Sequence, residues 1–179
     1  TSAFESQRVG IFIDVQNLYH SAKNLYRGRV NYRELIKHLV GGRKLIRSMA
    51  YVVKSEHAPP ETTPRGERAT SPEAAFFEAL ENAGLELRLK DLQIYADGMK
   101  KADWDVGLAV DAIRMSSFLD VVILVTGDGD FVPLVDYLKW GLGRLVEVAA
   151  FSRTTSSRIK EAADRFIAIE ETPRLIIRK

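Results

Sequence analysis

Residues 120–131, DVVILVTGDGDF, place an unbroken aliphatic run directly before a glycine-rich turn that carries two aspartates. Consecutive large aliphatic residues bounded by polar ones read as a short strand buried on both faces, the form that central strands take in a parallel sheet. Helical periodicity flanks the run on both sides. Before it, Val106, Leu108, Ala109, Ala112 and Ile113 share helical spacing within residues 103–115, and after it a helix is expected over residues 132–140. The unit is therefore helix, strand, helix, with the aspartates where the strand ends.

The same pattern extends outward. Residues 8–14, RVGIFID, form a second apolar run that ends on an acid, and residues 44–53, KLIRSMAYVV, and 145–151 read as further strands. Residues 85–89 alternate apolar and charged side chains as an edge strand does, with residues 93–95 extending or pairing with it. Helices are expected over residues 17–26, over 32–40 with Gly41 and Gly42 as the stop, from the Ser71 cap and Pro72 to Gly84, and from near 155 to about 164. The alternation predicts a three-layer α/β/α sandwich around a mostly parallel five-stranded sheet. Residues 55–72, SEHAPPETTPRGERATSP, hold four prolines and form a surface loop. No repeat or boundary divides the chain, so residues 1–179 are expected to form one domain.

Composition narrows the chemistry. The chain of 179 residues is 46% hydrophobic, enough for one buried core. Its 26 Lys and Arg against 24 Asp and Glu give a net charge of +2, too small to mark a nucleic-acid binder by bulk charge. With no cysteine, thiol nucleophiles and thiolate zinc are excluded, and only three scattered histidines argue against an imidazole-rich metal site. The polar start lacks the apolar centre of a signal peptide, and no apolar run approaches the roughly 20 residues that span a bilayer. A cytoplasmic protein without membrane contact is the expectation.

In a parallel sheet all strands end at one edge, and ligands bind there. Asp14 closes the first strand, Asp128 and Asp130 follow the fourth, and Asp105 starts the helix that leads into it. Carboxylates from three distant parts of the chain should therefore converge. Packed like charges raise one another's pKa unless a cation neutralises them, and an oxygen-only set favours Mg²⁺ or Mn²⁺ over zinc. Such an ion activates water and stabilises charge on a phosphodiester under attack, which points to phosphoryl transfer to water.

Each residue also has a structural reading. Asp14 and Asn17 suit helix capping, Asp130 suits a cap for the helix near residue 132, and Asp103 suits an N-cap with Asp105 beside it at the positive end of the dipole. Asp111 lies about 240° around the helix from Asp105, so it is assigned to structure. Functionally, Asn17 can orient a water, a ligand or a phosphate, and Thr126 can do so through its hydroxyl. Lys100 and Lys101 precede the Asp105 helix, while Arg153, Arg158 and Lys160 surround Ser156 and Ser157. Together these can form a basic rim that holds a phosphate. Trp104 reads as core more readily than as a stacking platform.

The stretches FIDVQNLYHSAK (12–23), KADWDVGLAVDAI (101–113), TGDGDFVPLVDYLKWG (126–141) and VEVAAFSRTTSSRIKEAADRFIAIEE (146–171) together resemble the NYN domain family, with the LabA-like (DUF88) branch closest. The resemblance implies a PIN-like nuclease fold with strand order 3-2-1-4-5 and a Mg²⁺ or Mn²⁺ site that cuts RNA. It implies metal-binding roles for Asp14, Asp105 and Asp128, with Asp130 and Asn17 in support. Thr126 stands where many relatives have Ser, and residues 101–105 are one residue longer than the common KGVDV form. Two other readings stay open: a non-catalytic metal- or RNA-binding regulatory module, and a haloacid-dehalogenase-type phosphatase, which would need an acid where Gln16 stands. A homo-oligomer also stays open.

Overall fold

A computed structural model of the chain describes residues 2–54, 71–94, 96–97, 100–101 and 104–178, with the backbone alone at Gln93, Ile94, Lys100 and Lys101. Residues 55–70 of the proline-rich loop and Asp103 lie outside the described residues. Six strands form one sheet: β1 (Arg8–Asp14), β2 (Lys44–Lys54), β3 (Glu86–Asp91), β4 (Val121–Val125), β5 (Leu145–Ala150) and β6 (Arg165–Ala168). Their order is β3-β2-β1-β4-β5-β6, and every pairing is parallel. The expected 3-2-1-4-5 order is thus present, with a sixth strand added beyond β5.

The alternation of side chains along β1 separates two cores. Val9, Ile11 and Ile13 pack with helices α1 (Val15–Tyr26), α2 (Tyr32–Val40) and α3 (Pro72–Asn82) on one face. Phe12 points to the other, where α4 (Asp105–Met115), α5 (Val132–Asp136) and α6 (Ser157–Ala162) lie. Val121 to Val125 are all fully buried, as a strand covered on both faces requires. Each large aliphatic side chain removed from water contributes roughly 1.5–3 kcal/mol, so this strand anchors both layers.

The element ends follow the expected chemistry. Asn31 caps α2 by accepting the Glu34 N–H at 3.3 Å, and Gly41 ends it in the left-handed conformation at φ 57. Ser71 caps α3 by accepting the Ala74 N–H at 3.1 Å, with Pro72 next. Differences lie near the edges. Gln93–Ile94 forms a separate antiparallel pair with Lys100–Lys101 instead of joining the sheet. The last helix stops at Ala162 because the chain turns into the sheet beside β5. There the Asp164 carboxylate accepts the Val146 N–H at 2.8 Å and its own N–H donates to the Val146 carbonyl at 2.9 Å. Among the described residues no helix is long and apolar enough to cross a membrane.

One buried ion pair joins α2 to the sheet. Arg43 donates to both oxygens of Glu147 at 2.9 and 2.8 Å and to the carbonyls of Leu39 and Val40 at 2.8 and 3.0 Å. Both side chains are at least nine-tenths buried. Removing one partner leaves the other charge uncompensated, a loss of roughly 3–5 kcal/mol, whereas replacing both with apolar residues is close to neutral. Glu147→Ala should therefore lower the urea midpoint sharply, and Arg43→Met/Glu147→Leu should recover much of the loss. Equal midpoints for wild type and Glu147→Ala would show that the pair is not structurally important.

Candidate active site at the carboxyl edge

Strands β1 and β4 lie side by side, with Ile13 opposite Val125, so the residues that follow them meet at the carboxyl edge. Asp14 caps α1: its Oδ1 accepts the Asn17 N–H at 3.2 Å. Its Oδ2 accepts the Thr126 hydroxyl at 3.1 Å. Thr126 Oγ1 in turn accepts the Asp128 N–H at 3.2 Å, and Asp128 Oδ1 accepts the Asp130 N–H at 2.9 Å. Asn17 Oδ1 closes the arrangement by accepting the Gly127 N–H at 3.1 Å. Two strand ends are thus stitched together through side chains.

This places the expected residues unequally. Oxygens of Asp105, Asp128 and Asp130 lie within 4.8 Å of one another, the first two half-buried and the third exposed. Asp14 is also half-buried and lines the same cleft, where its two oxygens hold the hydrogen bonds above. It is Asp128 that caps the turn after β4, which leaves the Asp130 carboxylate at the surface beside Asp105. Thr126 is 1% exposed and its hydroxyl is engaged on both sides, so it sits behind the acids. Asp111 is apart from the cluster: it accepts the Tyr51 hydroxyl at 2.8 Å and lies 3.5 Å from Arg88. Its position around α4 required this.

The cleft has a volume of about 410 Å³. Besides the acids, its walls include Asn17, Thr154 and Trp104, together with Gln16, His20, Ser21 and Asn24 from α1. Of α1 only Asn17 is a site candidate in the sequence, although His20, Ser21 and Asn24 follow it at helical spacings of three, four and seven, which place them on one face. Electrostatics reach behind the wall too. Burial and then the Asp14 carboxylate raise the pKa of the Tyr32 phenol, which keeps it protonated.

No residue of the expected basic rim is among the described residues that line the cleft. Arg153, Ser157 and Arg158 are exposed, but Lys160 turns back to donate to the Ser152 carbonyl at 2.8 Å and stands over the Phe166 ring. The Ser156 N–H donates to the Gly127 carbonyl at 3.0 Å, joining this loop to the acidic turn. The Lys101 side chain lies outside the described residues.

The NYN domain profile matches residues 8–170, a span that includes every acid of the cleft. The chain belongs to the NYN domain family. Comparison with curated protein sequences finds no match. Among solved structures, a protein of unknown function from Vibrio parahaemolyticus is 29% identical with a TM-score of 0.80, over 99% of this chain and 100% of that one. The T5 D15 protein co-crystallized with metal ions is 19% identical with a TM-score of 0.46, over 86% of this chain and 59% of that one. An NYN domain with clustered carboxylates at its carboxyl edge points to a nuclease, and so to a nucleic-acid substrate and a divalent metal.

The acidic turn is closely packed at its glycines. A Cβ at Gly127 would lie 2.9 Å from Thr155 Oγ1 and 3.1 Å from the Thr155 Cα, and one at Gly129 would lie 2.8 Å from Ser156 Oγ. Gly127→Ala should thus push the 152–156 loop away, destabilise the fold by roughly 1–3 kcal/mol and weaken Mn²⁺ binding. Thermal unfolding and calorimetric Mn²⁺ titration check this; two unchanged readings would contradict it.

Proposed function

We propose that this NYN domain is a ribonuclease of the LabA-like (DUF88) branch that hydrolyses phosphodiester bonds with Mg²⁺ or Mn²⁺. The observation that carries the reading is the approach of Asp105, Asp128 and Asp130 oxygens to within 4.8 Å of one another in an open cleft. Oxygens of an octahedral Mg²⁺ shell lie about 3–4 Å apart, given metal–oxygen distances of about 2.1 Å, so small side-chain adjustments bring these three to one ion. The donor set is all carboxylate, which suits a hard cation. When bound, that cation lowers the pKa of a coordinated water and offsets charge on the phosphate.

The chain supplies the rest. Asp14 is fixed by Asn17 and Thr126 and adds a fourth carboxylate, able to join the ligand set or to take a proton from the attacking water. With Asn17 Oδ1 accepting from Gly127, the amide NH₂ is the end that can donate to a phosphate oxygen. Arg153, Ser156 and Ser157 lie on the loop and helix start next to the acidic turn and, together with Lys101, are the proposed contacts for the flanking backbone. RNA as the substrate follows from the family that the motifs resemble.

The test is cleavage of end-labelled single-stranded and structured RNAs by purified protein with Mn²⁺ or Mg²⁺. Asp128→Asn and Asp105→Asn, checked for folding by thermal melting, should each cut at least about 100-fold more slowly, beyond what disturbing a metal's outer shell does. EDTA should abolish cleavage and Mn²⁺ should restore it. If Mn²⁺ binds and every RNA stays intact, the regulatory-module reading replaces the enzyme.

A further inference from the structure

Beyond the acids the cleft changes character. Four aspartates line it, yet no Lys or Arg is among its described lining residues. Phosphates are held on protein surfaces mainly by cations, so the described lining offers the substrate's backbone little beyond a bound metal. That lining suits the uncharged parts of what enters beside the reacting phosphate, the base and the sugar.

Both walls suit that. Gln16, His20 and Asn24 recur every four residues along α1 and present donors and acceptors to the cleft. Across from them, on the other layer of the sandwich, stands Trp104. Its indole N–H donates to the Val52 carbonyl at 2.9 Å, and its ring meets Tyr51 edge-on at 5.7 Å. The same ring fills the space over Gly107 that a Cβ would need. Three contacts thus fix the plane of the ring before any ligand arrives, which lowers the entropic cost of stacking on it. Arg88 and Lys90 of β3 stand over the ring, 5.9 and 5.8 Å from its centroid, and add cations beside the cleft.

We infer that this part of the cleft is a base-binding subsite for one unpaired nucleotide flanking the scissile phosphate, with the base on Trp104 and its edge or ribose hydroxyls on His20 and Asn24. The inference rests on the nuclease reading for what lies next door, but binding at the subsite needs no turnover. A fixed aromatic plane with neutral hydrogen-bonding groups is how unpaired bases are recognised, and a base paired in a duplex cannot reach it.

The experiment reads binding without cleavage. The chain has two tryptophans, and Trp140 is 80% exposed, so a Trp140→Phe protein reports Trp104 alone. With Ca²⁺ as the cation, a hexaadenylate RNA should quench Trp104 emission saturably, and an abasic strand of the same length should bind on the order of tenfold more weakly. A six-base-pair duplex should not quench. His20→Ala and Asn24→Ala, both at exposed positions, should weaken the hexamer and leave the abasic strand unchanged; they keep the test decisive if Trp104→Leu fails to fold. Equal affinity for hexamer and abasic strand overturns the subsite, even if Mn²⁺-dependent cleavage is present. Quenching with the expected base dependence, in a protein that cuts no RNA, upholds the subsite and rejects the nuclease reading.

Discussion

The hydrogen bond from Thr126 to Asp14 joins residues 112 apart in sequence, and so does the ion pair between Asp120 and Arg8 at the other end of the same two strands. That shared separation is the register of β1 on β4, in which Val9 faces Val121 and Ile13 faces Val125. A parallel pair with constant offset brings whatever follows one strand beside whatever follows the other. The buried aliphatic pentad of β4 holds this register, because a slip by one residue would turn its side chains to the wrong layers. At the amino end, hydrogen bonds from the Arg8 guanidinium and then its backbone N–H hold the Asp120 carboxyl at about 2, well below the usual carboxylate range. The acidic site is therefore a consequence of strand pairing in the core.

Convergence alone would be destabilising, since half-buried carboxylates repel. The local backbone offsets part of that cost. N–H groups of Asn17 and Asp130 and the hydroxyl of Thr126 all donate to site carboxylates, so Asp14 and Asp128 carry hydrogen bonds before any ion is present. Glycine makes this possible. Without a Cβ at 127 and 129 the turn lies against Thr155 and Ser156, and the Ser156 N–H can reach the Gly127 carbonyl. The repulsion that remains is relieved by whatever cation binds, and a ligand that binds only the folded state raises its stability. Site and fold are coupled in this way through charge.

Local signals in the sequence were reliable where one residue decides a boundary. Asn31, Gly41 and Ser71 end or start their helices as their side chains and φ angles dictate. Signals failed where a distant partner decides. The RFIA strand is four residues long and follows a helical stretch, and what makes it a strand is Asp164 binding Val146 across the sheet. Glu147 sits in a strand whose neighbours Val146 and Val148 face the other layer, and only its pairing with Arg43 explains a buried charge there. Lys160 looked like rim by composition but bonds its own loop. At the site, the strand ends were legible because parallel topology alone brings them together. The approach of Asp130 to Asp105 follows from the same convergence, but that Asp128 rather than Asp130 turns inward to cap was not legible.

That last detail bears on how such residues should be read. Helix capping and metal ligation look like alternatives for Asp14 and Asp130 in the sequence, yet the two roles do not compete. A carboxylate has two oxygens and about four acceptor positions. Asp128 accepts one backbone N–H through Oδ1 and still lies within 4.8 Å of Asp105 and Asp130. Capping fixes the rotamer, which a ligand needs, and it consumes only part of the acceptor capacity. A capping aspartate at the carboxyl end of a parallel strand is thus better prepared to hold a cation than an unconstrained one. The structural explanation of each residue supplies the geometry on which the functional one depends.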